Sequence, residues 1–211
     1  ISDYIEAVRL DPGNAENLVA RAKGYIEIGK YGMARGDLDE AIRLDPNSSN
    51  AYAFRGYLSA RTGNHLMAFP DINRAIEISP LNDDAYFKRA TANIGLGQTS
   101  LALKDLGRAL QLAPTNFEYL YSRALLRYEL GELDSAIEDF SEAIALKVRR
   151  GNVDPRHALP FISRGMIYLE IGKPKSALDD LNRAVGRLYK HFSTDEWENY
   201  RPTRNGILAD P

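Results

Sequence analysis

The chain has 211 residues, 44% of them apolar, with 27 basic against 29 acidic side chains for a formal net charge of −2, and no cysteine. A near-neutral balance with no long block of either sign leaves no electrostatic footprint for nucleic acid or an anionic membrane surface. The missing cysteines exclude disulfides and thiolate metal sites. Apolar runs fall far short of the ~18 residues of a membrane span, so a soluble protein is expected, in the cytoplasm by default.

In chain order, residues 1–12 (ISDYIEAVRLDP) read as one amphipathic helix stopped at Pro12. A pattern of period 34 then runs through 15–48, 49–82, 83–116 and 117–150, and returns at 158–191. In 83–116, apolar or small residues recur at three-to-four spacing at Tyr86, Ala90 and Ile94, and again at Leu103, Leu106 and Leu110. Gly97 lies between the two runs and Pro114 closes the second, so the unit is helix, turn, helix. The same glycine recurs as Gly29, Gly63, Gly131 and Gly172, and the proline as Pro12, Pro46 and Pro80. Small residues at Ala22, Gly56, Ala90, Ala124 and Gly165 mark where two helices approach closely.

Each unit also carries an arginine sixteen residues before an aspartate: Arg21 and Asp37, Arg55 and Asp71, Arg89 and Asp105, Arg123 and Asp139, Arg164 and Asp180. In an antiparallel hairpin this spacing brings the two to similar height on partner helices, so a guanidinium forks onto a carboxylate within the hairpin. These are expected to be structural pairs rather than charges offered to a ligand.

Fixed glycines, alanines, arginines and prolines in consecutive 34-residue copies resemble tetratricopeptide repeats, over most of the chain. The family's large first-helix residue is carried by Leu18, Tyr52, Tyr86, Leu120 and Phe161. The resemblance implies an all-α fold, a right-handed superhelical α-solenoid of antiparallel helix pairs. The expected organisation is a second helix of a truncated repeat at 1–12, four repeats over 15–150, an insertion loop at 151–157, a fifth repeat at 158–191 and a capping segment at 192–211. Asp3, Ala7 and Pro12 stand one period before Asp37, Ala41 and Pro46, which is why 1–12 reads as a second helix. Arg123 and Arg164 are 41 residues apart, and the excess places Lys147, Arg149, Arg150 and Arg156 in a basic loop expected to be solvated. Pro70 falls inside a second helix and should delay or kink it. Trp197 and Tyr200 are candidates to cover the apolar end of the last unit.

Three histidines, His65, His157 and His191, lack partners at metal-ligand spacing. His191, Ser193 and Asp195 are near neighbours and read as a helix start, with Ser193 and Glu196 forming a capping box, rather than as a hydrolytic triad. No catalytic residue, cofactor or metal site is expected.

In proteins of the resembled family the first helices line a concave face that holds a partner. Here the stripe on those helices reads Val19, Lys23 and Ile26; Ala53, Tyr57 and Ala60; Phe87, Thr91 and Ile94; Tyr121, Leu125 and Tyr128; Ile162, Met166 and Leu169. It is mostly apolar and aromatic, as interaction surfaces with aromatic anchors are. The family's carboxylate clamp uses lysines and asparagines on these faces; Lys88 lies near the right face without asparagine partners. The expected function is therefore a non-enzymatic scaffold for a protein or peptide, without the clamp that holds chaperone tails. Two alternatives are self-assembly through residues 1–12 and service as a regulatory region of a larger enzyme.

Overall fold

A computed structural model describes residues 1–146 and 155–189 and divides into two compact units, Ile1–Arg123 and Ala124–Pro211. The first unit holds α1 (Ser2–Leu10), α2 (Ala15–Glu27), α3 (Tyr31–Leu44), α4 (Ser49–Arg61), α5 (His65–Ile78), α6 (Asp83–Gly95) and α7 (Thr99–Leu112). Helix α8 (Phe117–Glu129) begins in it and ends in the second unit, which continues with α9 (Leu133–Ala145), a 3-10 turn at Pro155–Ala158, α10 (Leu159–Glu170) and α11 (Pro174–Tyr189). The described residues contain no strand, and consecutive helices pack in pairs, which makes this an all-α solenoid.

The two kinds of helix start differently, for a local reason. The first helices α2, α4, α6 and α8 are capped by a side chain, whereas α10 follows the 3-10 turn without one: Asn14 accepts from the backbone N–H groups of Glu16 and Asn17, Ser48 from Ala51, Asn82 from Ala85, and Asn116 from Glu118 and Tyr119. Such a cap stabilises by about 1 kcal/mol. The second helices α3, α5, α7 and α9 have no side-chain cap because they begin directly after the turn glycine. That turn reverses the chain in two residues, with Gly29, Gly63, Gly97, Gly131 and Gly172 at φ between 69° and 83°. The residue after each glycine donates its N–H five residues back, as Lys30 does to the Tyr25 carbonyl at 2.8 Å. Only glycine adopts this conformation without a Cβ clash.

The hairpins close on small residues. Ala22, Ala34, Leu38, Ala41 and Ala51 belong to one buried cluster with Leu18, Val19, Tyr25 and Ile26, and Ala68, Ile72, Ala60 and Ala92 to another. A Cβ added at Gly56 would lie 2.7 Å from the Ala68 carbonyl oxygen and 2.5 Å from the Ile72 side chain, so that crossing is set by the absence of a side chain.

Pro70 does not delay its helix. Helix α5 begins at His65, one period after α3 begins at Tyr31, and Pro70 is exposed inside it. The bond it cannot make is to the carbonyl of Leu66, itself an exposed residue in the first turn. The expectations for Lys147, Arg149, Arg150, His191, Ser193, Asp195, Glu196, Trp197 and Tyr200 fall outside the described residues.

Candidate partner-binding face

The frame beneath the first-helix surface is the row of arginine forks. Arg21 donates from Nε and Nη2 to Asp37 at 2.8 and 2.7 Å, Arg55 to Asp71 at 2.7 and 2.7 Å, Arg89 to Asp105 at 2.9 and 2.7 Å, and Arg164 to Asp180 at 2.8 and 2.7 Å. Asp37, Asp105 and Asp180 are buried. The carboxylate hydrogen bonds hold Arg21, Arg55, Arg89 and Arg164 above the ordinary guanidinium pKa, against the opposing effect of burial. In the fourth repeat Asp139 accepts from Arg127 at 2.8 Å, while Arg123 closes the first unit.

Two further features were not read from sequence. The third guanidinium nitrogen reaches the preceding repeat: Arg55 Nη1 donates to Asp39 at 2.9 Å, Arg89 Nη1 to Asn73 at 3.0 Å and Arg164 Nη1 to Ser141 Oγ at 2.7 Å. The residue four after each arginine completes its surroundings in different ways. Tyr25 and Tyr168 place a ring under the guanidinium, with Cζ 5.8 and 5.7 Å from the centroids, whereas Asn93 donates to Asp105 at 3.1 Å and Arg127 to Asp139. The signal was present as Asp39, Asn73 and Ser141 at period 34, but nothing in one sequence marks an acceptor until the neighbouring arginine is placed beside it.

The predicted stripe divides into members that pack and members that meet solvent. Val19 and Ile26 are buried in the cluster of the first repeat, and Ala53 and Ala60 are buried in the second. Lys23 and Ile94 are exposed, and Tyr57, Phe87, Thr91, Tyr121, Leu125, Tyr128 and Ile162 are half-buried. Met166 and Leu169 are each 54% exposed.

In the first unit the aromatic residues are tethered. Lys88, on α6, is buried with its ammonium 3.9 Å from the Phe54 ring centroid and 5.1 Å from that of Tyr57, and it pairs with Asp84. Burial pushes its pKa below the usual lysine value, against the pull of Asp84; Lys23 adds to the depression and Glu118 opposes it. Desolvation raises the Tyr57 hydroxyl pKa, with Arg61 counteracting and Glu118 and Asp84 reinforcing. Phe87 meets Tyr119 with centroids 4.8 Å apart, and the Tyr119 hydroxyl donates to Asp83 at 2.8 Å. Burial, then Asp84 and Asp83, hold that hydroxyl well above the usual phenol range. Phe117 and Tyr121 stack with planes 2° apart and centroids 6.0 Å apart. Thr91, half-buried, turns its hydroxyl back onto the Phe87 carbonyl at 3.1 Å. In the second unit Tyr128 donates to Glu170 at 3.2 Å, a bond that raises its pKa. Ile162 packs partly against the cluster of Ala158, Phe161 and Ala184.

This arrangement offers contact area, with the Lys88 ammonium enclosed and the hydroxyls of Tyr119 and Tyr128 bonded to Asp83 and Glu170. Among the described residues no helix is long and apolar enough to cross a membrane.

Solved structures resembling the chain are helical repeat proteins. YrrB, described as a TPR protein with an unusual peptide-binding site, is 23% identical with a TM-score of 0.59, covering 87% of this chain and 91% of its own. MamA from Desulfovibrio magneticus RS-1 is 18% identical with a TM-score of 0.66, over 85% and 97%. PilW, described as a widely conserved type IV pilus biogenesis factor, is 18% identical with a TM-score of 0.70, over 95% and 89%. At these identities the likeness is one of fold. No curated protein matches the chain. The family model described as tetratricopeptide repeat matches residues 19–83 and 87–155, well over half of the sequence. With this match and the forked, glycine-turned hairpins, the chain belongs to the tetratricopeptide repeat family.

Proposed function

We propose that the chain is a non-enzymatic scaffold that holds a peptide or partner subunit on an apolar and aromatic groove formed by its first helices. The observation that carries this reading is the register of Tyr57, Phe87 and Tyr121: half-buried rings on three consecutive first helices of one compact unit, with Thr91 and the exposed Ile94 beside them. Rings held by their neighbours lose little freedom when a partner covers them, which favours aromatic anchors. Lys23 stands exposed at the edge of the same surface. Within the second unit, Leu125, Tyr128, Ile162 and Met166 supply the corresponding first-helix positions. The buried Val19, Ile26, Ala53 and Ala60 support the contact residues from below.

Binding of this kind does not use a carboxylate clamp. Lys88 has its ammonium enclosed by Asp84, Phe54 and Tyr57, and the first-helix faces bring no asparagine to Lys23. The general role as an interaction scaffold follows from the family, and the peptide-binding site described for YrrB supports a linear partner.

The test is titration of a captured partner against wild type, Phe87→Ala and Tyr121→Ala at low and high salt. Each truncation is expected to cost about 2 kcal/mol of binding, and wild-type affinity should change little with salt because the stripe carries few charges. Unchanged affinity in both variants, or wild-type binding that collapses with salt, would move the partner to another surface.

A further inference from the structure

We infer that two edges of the first unit bind each other between copies of this chain: the turn edge of one copy docks on the loop edge of the next. Both halves of the contact are present in one molecule, and neither uses the groove proposed above. Because consecutive helices in this unit run antiparallel, the glycine turns gather at one end of the helices and the loops between repeats at the other. Neighbouring turns touch. Arg61, at the end of α4, lies within hydrogen-bonding reach of Tyr31, at the start of α3, and one period later the His65 ring fills the space that a side chain at Gly95 would take. Neighbouring loops touch as well, where Asn82 donates to Ser49 at 2.7 Å and to Asn50 at 3.2 Å.

The two edges carry opposite charge. Turn residues 27–36, 61–70 and 95–104 hold Lys30, Arg35, Arg61 and Lys104 against the single carboxylate of Glu27. Loop residues 11–16, 45–50, 79–84 and 113–118 hold six acidic residues, among them Glu16, Asp45 and Glu118, and no basic one. The acidic edge has a local explanation, since carboxylates near the N-termini of the first helices complement the helix dipole. The basic edge has none. It too holds helix N-termini, those of α3, α5 and α7, and none of the three has an acidic residue in its first turn. The chain forgoes that stabilisation along the whole turn edge, which fits an edge that meets an anionic counterpart. Apolar side chains lie between the charges: Ile28, Met33, Leu66, Met67 and Leu101 are each more than half exposed on the turn edge, and Leu81, Pro46, Pro80 and Pro114 are exposed on the loop edge. Met33, Met67 and Leu101 stand one period apart, as do the three prolines. Both rows are generated by the same repeat step, so their pitch matches, and a second copy brings carboxylates and prolines at the spacing of the cations and apolar side chains of the first. Opposite charge at a shared pitch is what singles out a second copy among acidic partners.

Docking one edge on the other is a heterologous contact that leaves a free edge at each end, so copies add in an open series. Light scattering of the full chain over a rising concentration series at low salt should show a mass that passes the monomer and keeps climbing, and high salt should return it toward the monomer. Lys30→Glu with Arg61→Glu reverses the sign of the turn edge and should weaken self-association about tenfold or more. Glu16→Lys with Asp45→Lys places cations on the loop edge and should weaken it likewise. An equal mixture of these two double variants should associate again, because each supplies the edge that the other has lost. Met67→Asp tests the apolar part of the contact and should also weaken association about tenfold, while Phe87→Ala, in the groove, should leave it unchanged, which keeps failure of this inference distinct from failure of the groove. Circular dichroism checks that each variant keeps its helices; all of these side chains except Phe87 are exposed. A mass that stays monomeric throughout the low-salt series overturns the inference. So does association that survives both Lys30→Glu with Arg61→Glu and Met67→Asp, a mixture of the double variants that stays monomeric, or association that Phe87→Ala removes.

Discussion

The third repeat, in the first unit, and the fifth, in the second, share a frame and differ in what they place on it. Both fork an arginine onto a buried aspartate sixteen residues on and pass its remaining nitrogen to the preceding repeat, Arg89 to Asn73 and Arg164 to Ser141. Around that fork the third repeat sets Phe87, the buried Lys88 and Ala90; the fifth sets Ile162, Ser163 and Gly165, followed by the exposed Met166 and Leu169. The positions that close the hairpin are fixed by geometry, so they repeat. Their neighbours on the first helix are free of that geometry and vary, which is where a repeat protein writes its specificity. Rings held by neighbours present a preorganised surface in the third repeat, whereas Met166 and Leu169 present a pliable one.

The largest break in this comparison comes from the shared part. Arg89→Ala leaves the Asp105 carboxylate buried with, among the described residues, the Asn93 amide still donating to it, and should lower unfolding stability by about 3 kcal/mol, toward the low end for an orphaned buried partner. Arg164→Ala should cost as much or more, because no other donor to Asp180 is seen among the described residues. Urea titration monitored by circular dichroism reads both. If Arg89→Ala keeps wild-type stability but loses partner binding, the arginines belong to the site and not to the frame.

A smaller effect separates two glycines at one register. A methyl group at Gly56 meets a backbone oxygen at 2.7 Å, which cannot move aside without opening the hairpin, so Gly56→Ala should destabilise by about 1–3 kcal/mol. At Gly165 the nearest atoms lie 3.4 to 3.6 Å away, ordinary contact, and Gly165→Ala should be neutral or stabilise by about 0.5–1 kcal/mol through the helix interior. Equal losses in the two variants would mean that the crossings are not set where the geometry puts them.

The frame was legible because each of its requirements is met by one residue type at one spacing. A positive φ needs glycine, a close crossing needs a small residue, and a fork across a hairpin needs Arg89 and Asp105 sixteen apart; five copies raise each signal above chance. The surface was legible only in part. The three-to-four spacing that selects Tyr57 and Phe87 also selects Val19, Ile26, Ala53 and Ala60, because neighbouring first helices touch each other along that stripe before a partner can. Which side of the contact a residue falls on depends on the size of its neighbour in the next repeat, and period does not carry that information. Lys88 shows the limit most sharply. From sequence it is a charge near the groove, and only the adjacent Phe54 and Tyr57 rings make it a buried one.

Lys88 supplies the smallest effect and the one that distinguishes the third repeat from every other. Its pKa is lowered by burial, so the unfolded chain holds this proton more tightly than the folded one, and charge on Lys88 works against folding at neutral pH. As pH rises from the lowered folded value toward the unfolded lysine value of about 10.4, the folded protein releases the proton first and gains stability. Tyr57 and Tyr119 have the opposite sense: their raised pKa values mean that stability is lost once unfolded phenols ionise near pH 10. The lysine contribution is therefore read between about pH 8 and 9.5, below the tyrosines. Lys88→Met removes the cation and keeps the apolar stem against Phe54 and Tyr57, leaving Asp84 half-buried with access to water. It should raise stability at pH 7 by about 1 kcal/mol, the lower end for replacing a buried ion pair by an apolar residue, and the advantage should shrink as wild type gains stability toward pH 9.5. Urea midpoints of the two proteins across that range test it. A variant less stable at pH 7, by a margin that does not narrow with pH, would show that the ammonium's contacts with Asp84 and the two rings outweigh its desolvation and that the third repeat depends on the charge.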